Sequence, residues 1–236
     1  MLCYFGERGR LPQKRRTQLK ADDEIYEKLN GEFDRVYAEV QSLRVNQHVF
    51  WEVQEIIRNN PNLRKPSTFY GWMGNMYAAA MAAAVRRLVD QTRGTVSFVR
   101  LLEQVKAKPE CVSREAYKKR CTDPNLPPAY VDEDYDRLVG LGMPHPDPLT
   151  IADEIREVKK RTERLRRFVN EHVAHAALQQ EKTLPTFQDL DDAIDTLEAL
   201  AKLYLHLFRG VALSSALPTW QYDWKEIFRY PWIAGD

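Results

Sequence analysis

The feature that most constrains the fold is a run of mostly apolar residues that are spaced alternately four and three positions apart. This spacing places every member on one stripe of an α-helix, and a stripe of this kind has to be buried against other helices. It therefore predicts a long helix that forms the seam of a bundle. The stripe consists of Ile151, Ile155, Val158, Thr162, Leu165, Val169, His172 and Ala176.

Helical periodicity and helix-ending residues recur along the rest of the chain. From Asp22 to about Asn59, apolar residues recur at helical spacing until Asn60-Pro61-Asn62 ends the pattern. Ser67 is expected to cap a second helix that runs to Asp90 and contains an alanine-rich stretch. Thr95 is expected to cap a third helix that runs to about Val105, and residues 113–120 and 129–139 are expected to form short helices.

The last long helix is predicted from Thr186 to about Arg209. Thr186, followed three residues later by Asp189, has the pattern of a capping box, and acidic side chains suit the start of a helix. No alternating apolar pattern longer than a few residues predicts a strand. The expected class is all-α, an up-and-down helix bundle with additional short helices.

Composition excludes several functional classes. The 35 basic and 34 acidic residues leave a net charge of +1, so a nucleic-acid role requires a local patch. No apolar run approaches the ~20 residues that cross a bilayer, and no signal peptide is recognisable. With three cysteines and no C-x-x-C spacing, we expect a cytoplasmic protein with reduced thiols. The common nucleotide, zinc-protease and serine-hydrolase motifs are absent, and we expect no metal and no cofactor.

The two ends of the chain differ from the middle. Residues 1–20 are strongly basic without an apolar core, and we expect them to form a disordered arm ahead of a single domain at 21–236. Within that domain, residues 210–236 are rich in aromatic side chains, which are costly to leave in water. We expect this segment to form a strap over the bundle. Its aromatic residues are Trp220, Tyr222, Trp224, Phe228, Tyr230 and Trp232.

One short segment carries a motif with chemical meaning. Residues 170–175 read Asn-Glu-His-Val-Ala-His and lie near the end of the seam helix. The segment resembles the Arg-Asn-Lys-x-x-Ala-His signature of the HEPN superfamily and is similar in particular to its abortive-infection (AbiU-type) branch. Residues 86–90, 96–102 and 184–191 also resemble that branch, so the resemblance covers about residues 22–210.

The resemblance implies a fold, an activity and partners. HEPN proteins are helix bundles that usually dimerise, and many are metal-independent ribonucleases acting in phage defence or as toxins. RNA carries its own nucleophile, the 2′-hydroxyl, so a histidine suffices as general acid/base while an arginine binds the phosphate. The resemblance thus assigns catalysis to His175, with Asn170 and Arg167. It also implies a homodimer, RNA as a ligand, and an antitoxin or a nucleotidyltransferase as a partner.

The chain departs from the family's signature at one position. Val169 stands where the family has its arginine, and valine can neither donate a hydrogen bond nor carry charge. A looser Arg-x(4–6)-His pattern remains through Arg166 or Arg167 and His172. The alternative function is therefore a catalytically inactive HEPN bundle that binds nucleotides or acts as an interaction scaffold.

Helical geometry separates the two histidines of the motif. At about 100° per residue, His172 falls on the apolar stripe and is expected to be a packed, hydrogen-bonded core residue. His175 falls with Arg161 and Arg164 on a basic, more exposed face. Asn170 is about 140° from His175 on an ideal helix, so the two side chains meet only if the helix bends or ends there.

A run of basic residues lies along the same helix. It predicts either a strip that binds RNA phosphates or a solvated face that pairs with the acids of the next helix, and both interpretations stay open. Phosphate contacts would make the affinity for RNA fall with salt. The residues expected to bind RNA are Lys160, Arg161, Arg164, Arg166 and Arg167.

Overall fold

The computed structural model describes residues 13–121, 126–174 and 184–231. Helical residues make up about three quarters of these, and no strand occurs among them, which confirms the all-α class. None of the described helices is long and apolar enough to span a membrane. The helices are α1 (Gln13–Asn59), α2 (Thr68–Leu88), α3 (Phe98–Ala107), α4 (Arg114–Arg120), α5 (Pro128–Val139), α6 (Pro148–Phe168) and α7 (Phe187–Arg209), with 3₁₀ turns at Pro109–Val112 and Glu226–Arg229.

Two of the predicted helix caps are confirmed. The hydroxyl of Ser67 accepts a hydrogen bond from the backbone N–H of Phe69 at the start of α2 (3.2 Å). At the start of α7, Thr186 Oγ1 accepts from the N–H of Asp189 (3.1 Å), and Asp189 Oδ2 accepts from the N–H of Thr186 (2.7 Å). These reciprocal bonds form the capping box that the sequence predicts.

The predicted cap of the third helix is wrong by two residues. Ser97, not Thr95, caps α3, and its Oγ accepts from the N–H of Arg100 (3.3 Å). The Ser97 hydroxyl also donates to the carbonyl of Asp90, which ties the cap to the end of α2. Thr95 instead donates its hydroxyl to the Thr92 carbonyl within the connecting loop (2.8 Å). Both residue types can cap a helix, so the loop's own hydrogen bonds decide between them.

The N-terminal boundary also differs from the prediction. Helix α1 begins at Gln13, so residues 13–20 of the expected disordered arm are helical. Lysine, arginine, glutamine and leucine are good helix formers, and this stretch holds neither proline nor glycine to stop the helix. Residues 1–12 lie outside the described residues, and disorder there stays a prediction.

Helix α1 packs antiparallel to α7. Near one end of the pair, the Tyr26 hydroxyl donates to the Phe208 carbonyl (2.8 Å). Near the other end, Arg44 Nη1 donates to Asp195 Oδ1 (2.7 Å). Helix α1 is also antiparallel to α2, because Phe50 stacks on Tyr77 with ring centroids 3.8 Å apart while Glu39 pairs with Arg87.

Helix α6 is the seam helix, and it packs against α2, α3 and α7. It is antiparallel to α7, since the Tyr204 hydroxyl donates to Glu154 Oε2 (2.8 Å) and Arg164 pairs with Asp189 (2.7 Å). The predicted stripe is confirmed from its first residue to Val169, and Ala176 lies outside the described residues. The buried members are Ile151, Ile155, Val158, Thr162, Leu165 and Val169.

The aromatic C-terminal segment lies along α1. Trp220 stacks on His48 with ring centroids 6.0 Å apart, and Trp224 meets the same ring edge-on at 6.2 Å. Lys225 pairs with Glu52 on the next turn of α1. These contacts place residues 220–225 of the expected strap on the bundle, and Trp232 lies outside the described residues.

Candidate functional site

The signature segment begins in a π-turn that directly follows α6. Residues Val169–Ala174 form this turn, whose wider i→i+5 hydrogen bonding accommodates one more residue than an α-helical turn. The expected angle of about 140° between Asn170 and His175 assumes an ideal α-helix, whereas residues 169–174 form a π-turn. Such turns are rare and often occur at functional sites. His175 follows the turn and lies outside the described residues.

Asn170 lies at the edge of a small polar cleft between the π-turn and the C-terminal end of α2. Its Oδ1 accepts a hydrogen bond from Nε of Arg86, 2.8 Å away. Two helices that are far apart in the sequence therefore meet at the motif. The cleft has a volume of about 220 Å³ and is lined by Arg86, Val89, Asp90, Gln91, Thr92, Arg166 and Asn170.

The cleft contains two cations and one carboxylate. The guanidinium groups come from Arg86 and Arg166, and the carboxylate is that of Asp90. Burial raises the pKa of Asp90, but hydrogen bonds from Thr92 and the charge of Arg86 outweigh it, so the pKa lies below its usual value. Asp90 is thus ionised near neutral pH, and the three charges sum to one positive charge.

Three arginines of the basic strip are exposed and paired within α6. Arg166 Nη2 and Arg167 Nε bind the two oxygens of Glu163 at 2.7 and 2.9 Å. Arg161 Nε binds Glu157 Oε1 at 2.6 Å. Exposed pairs between neighbouring turns contribute little to stability, so a phosphate can replace the carboxylate at little cost.

Lys160 and Arg164 have different surroundings. Lys160 is exposed on the outer face of α6. Arg164 Nη1 binds both carboxylate oxygens of Asp189, at 2.7 and 2.8 Å, and its Nη2 donates to the Leu184 carbonyl (3.2 Å). These bonds join α6 to the start of α7, so Arg164 fits the interpretation in which the strip pairs with acids of the next helix.

Val169 and His172 both point inward. Val169 is 4% exposed and belongs to the core. The ring of His172 stacks on Phe168 with centroids 5.3 Å apart and lines an apolar cavity of about 620 Å³ between α2 and the start of α7. The predicted packing of His172 is thus observed. The predicted hydrogen bond is not observed at Nδ1, which is buried without a partner among the described residues.

The acidic side chains of helix α5 contact helix α4. Asp132 and Asp136 both bind Arg114 of α4, and Asp134 accepts a hydrogen bond from Tyr117 (2.5 Å). These acids therefore attach α4 to α5. Across the described ranges, no group of three or more histidine, cysteine or acidic side chains is arranged to hold a metal ion.

The structure brings together three residues of this region, Asn170, Arg166 and Arg86. Of these, Arg86 is the one that sequence reasoning did not assign to the site. The signal that could have found it is the pair Arg86-Arg87, which ends a helix whose preceding residues, 68–85, carry no charge.

Comparison of the chain with protein-family models, with curated proteins and with solved structures finds no match. The resemblance to HEPN proteins therefore rests on the signature segment and the three shorter stretches. The geometry around Asn170 carries the functional argument.

Proposed function

We propose that the protein is a cytoplasmic HEPN-type bundle that binds RNA and cleaves it without a metal, in a phage-defence or toxin–antitoxin system. The observation that carries the proposal is the surroundings of the π-turn. This turn contains residues 170–174 of the signature segment, at the end of the bundle's seam helix. It lies beside a polar cleft and next to the exposed guanidinium groups of Arg166 and Arg167.

These residue types suit RNA cleavage by the 2′-hydroxyl. In this reaction a base removes the hydroxyl proton, the oxygen attacks the adjacent phosphorus, and an acid protonates the departing 5′-oxygen. His175 is the proposed general acid/base, and Arg167 the proposed donor to the phosphate oxygens as their charge develops. Asn170 completes the proposed catalytic set at the edge of the cleft.

The remaining strip residues are proposed to hold the RNA backbone. Lys160, Arg161 and Arg166 lie on α6 within a few turns of the motif, with side chains exposed to solvent. The carboxylate partners of Arg161 and Arg166 are weakly bound at the surface, so RNA phosphates can displace them. The affinity for single-stranded RNA should then fall by about 0.7 log units per phosphate contact for each tenfold rise in salt.

The test is an RNA cleavage assay with a metal chelator present. His175→Ala should reduce the rate by about 10²–10⁴-fold, the usual contribution of a positioned acid/base. The matched control is His145→Ala. His145 lies shortly before the first residue of α6, at the end of the helix that is far from the motif. Among the described residues, its side chain bonds only the carbonyl of its neighbour Pro146 (3.1 Å). Equal cleavage by the wild type and His175→Ala would show that the catalytic assignment is wrong.

A homodimer is part of the proposal, and the outer face of α2 supports it. Phe69, Trp72 and Met76 recur at helical spacing and are 51, 57 and 50% exposed. Contiguous exposed apolar surface of this kind often marks an interface. In a two-fold dimer the same face of each copy contacts the other copy. Residues 68–85 carry no charge, so the two copies of this face do not repel each other.

A second function is favoured by the burial of Val169. Because this residue is a buried valine, the position at which the family has its arginine offers neither a hydrogen-bond donor nor a charge. The second candidate is an inactive HEPN bundle that binds nucleotides or a protein partner, an antitoxin or a nucleotidyltransferase. RNA binding without cleavage, unchanged by His175→Ala, would select it.

A further inference from the structure

Arg86 occupies an unusual position for a surface arginine. It lies in the last turn of α2 and reaches across to the π-turn, where its Nε donates to Asn170 Oδ1 (2.8 Å). Among the described residues this is the only hydrogen bond of the Arg86 side chain. Its two Nη groups can therefore donate to a ligand, while the bond to Asn170 restricts the rotation of the guanidinium.

The surroundings of Arg86 are suited to a small anion. The second guanidinium group in the cleft is that of Arg166, and the cleft also contains the side-chain amide of Asn170, whose Nδ2 can donate to an oxygen atom. The carboxylate of Asp90 opposes an anion, but it already accepts two bonds from Thr92, at 3.1 and 2.8 Å. Two guanidinium groups against one carboxylate leave the cleft attractive to negative charge.

We propose that this cleft binds a phosphate group, with Arg86 as the principal ligand and Arg166 as the second. The inference rests on the proposed function, and it assigns to the cleft a phosphate of the bound RNA. Arg86 then supplies from α2 the guanidinium that Val169 cannot supply from α6. Asn170 acts as a positioning residue, because it holds Nε and leaves the Nη groups for the phosphate oxygens.

A purely structural role for Arg86 is the competing explanation, since its bond to Asn170 also ties α2 to the π-turn. The neighbouring residue provides a matched control. Arg87 has the same charge on the same helix, but it pairs with Glu39 of α1 and does not line the cleft. Arg86→Gln and Arg87→Gln each remove one positive charge and one side-chain contact.

The first experiment uses inorganic pyrophosphate as the probe, with thermal melting at an ionic strength matched by sodium chloride. Pyrophosphate should stabilise the wild type and Arg87→Gln, whereas Arg86→Gln should bind it at least about tenfold more weakly. The inference is overturned if pyrophosphate stabilises all three proteins equally, or if it does not stabilise the wild type. If Arg86→Gln does not fold, Arg166→Gln replaces it, because the Arg166 side chain is 52% exposed.

The second experiment measures the binding of a single-stranded RNA as a function of salt. Arg86→Gln should reduce the slope of log affinity against log salt by about 0.7, and Arg87→Gln should leave it unchanged. RNA binding with equal slopes in both variants overturns the inference and leaves the proposed function standing. Pyrophosphate binding that needs Arg86, in a protein that binds no RNA, supports the phosphate site and overturns the proposed function.

Discussion

Glu198 is a carboxylate that the bundle buries, at 6% exposure, and fully satisfies. Its Oε2 binds Arg44 Nε at 3.0 Å, while its Oε1 accepts from the Ser215 hydroxyl (2.9 Å) and the Ala216 N–H (2.6 Å). It thus joins α1, α7 and the start of the strap. A buried charge contributes to stability only when its partners are all in place.

This arrangement predicts a large difference between two acids that share Arg44. Glu198→Ala removes one of the two carboxylates that pair with Arg44 and leaves two strap donors without an acceptor, so the free energy of unfolding should fall by about 1–3 kcal/mol for each unpaired donor. Asp195→Ala removes a partner whose side chain is 65% exposed, so it should cost no more than about 1 kcal/mol. Urea denaturation of both variants measures the difference, and equal losses would contradict the role of Glu198.

Glu154, unlike Glu198, is a side chain whose ionised form is disfavoured by burial. Burial raises its pKa, and the hydrogen bond from Tyr204 offsets this only in part. The folded protein therefore holds the Glu154 proton more tightly than the unfolded chain does. Its contribution to stability is favourable at low pH and is lost as the pH rises through the raised pKa.

The pH dependence of Glu154→Gln tests this linkage. At neutral pH the variant should be at least as stable as the wild type, because glutamine accepts the Tyr204 hydrogen bond without a charge. The advantage should vanish as the pH falls below the usual pKa of glutamate, about 4.3. Chemical denaturation across this range measures it, and an advantage that grows toward low pH would have the wrong sign.

At the scale of elements, α6 carries two kinds of arginine. Arg164 joins it to α7 through Asp189, whereas Arg161 pairs with Glu157 on its own helix. The first contact spans two elements and the second spans one turn. The two interpretations of the basic strip, structural pairing and RNA binding, therefore apply to different residues of the same helix.

Two matched substitutions separate these roles. Arg161→Gln should reduce the salt slope of RNA binding by about 0.7 and leave the stability unchanged within about 0.5 kcal/mol. Arg164→Gln should lower the stability by about 1 kcal/mol through loss of its bidentate contact, and leave the RNA affinity unchanged. The reverse pattern would show that Arg164 binds RNA and that Arg161 has the structural role, contrary to this assignment.

At the scale of the whole molecule, the outer face of α2 predicts self-association. Trp72→Glu places two like charges in a two-fold contact and should convert a dimer into a monomer, as measured by light scattering after gel filtration. The control is Tyr222→Glu, because Tyr222 is an aromatic residue of the strap with 70% exposure. A wild type that is monomeric, or a Trp72→Glu variant that stays dimeric, would exclude this face as the interface.

The sequence by itself determined the features that depend on near neighbours in the chain. The stripe of α6 and the capping box of Thr186 and Asp189 are properties of residues three or four positions apart, so periodicity and residue type suffice to predict them. The choice of Ser97 over Thr95 as a cap was beyond such reasoning. It depends on a bond to Asp90, at the other end of the loop.

The candidate site was decided mostly by tertiary structure. The motif and the basic strip are readable as local patterns, but Arg86 and Asn170 are separated by 84 positions, and their contact exists only because α2 packs against the end of α6. The π-turn could not be predicted from the spacing of residues either, because the angles used for that prediction assume a regular α-helix. Local patterns are written into the chain because their energies come from adjacent residues, whereas a site assembled from two helices depends on the packing of the whole bundle.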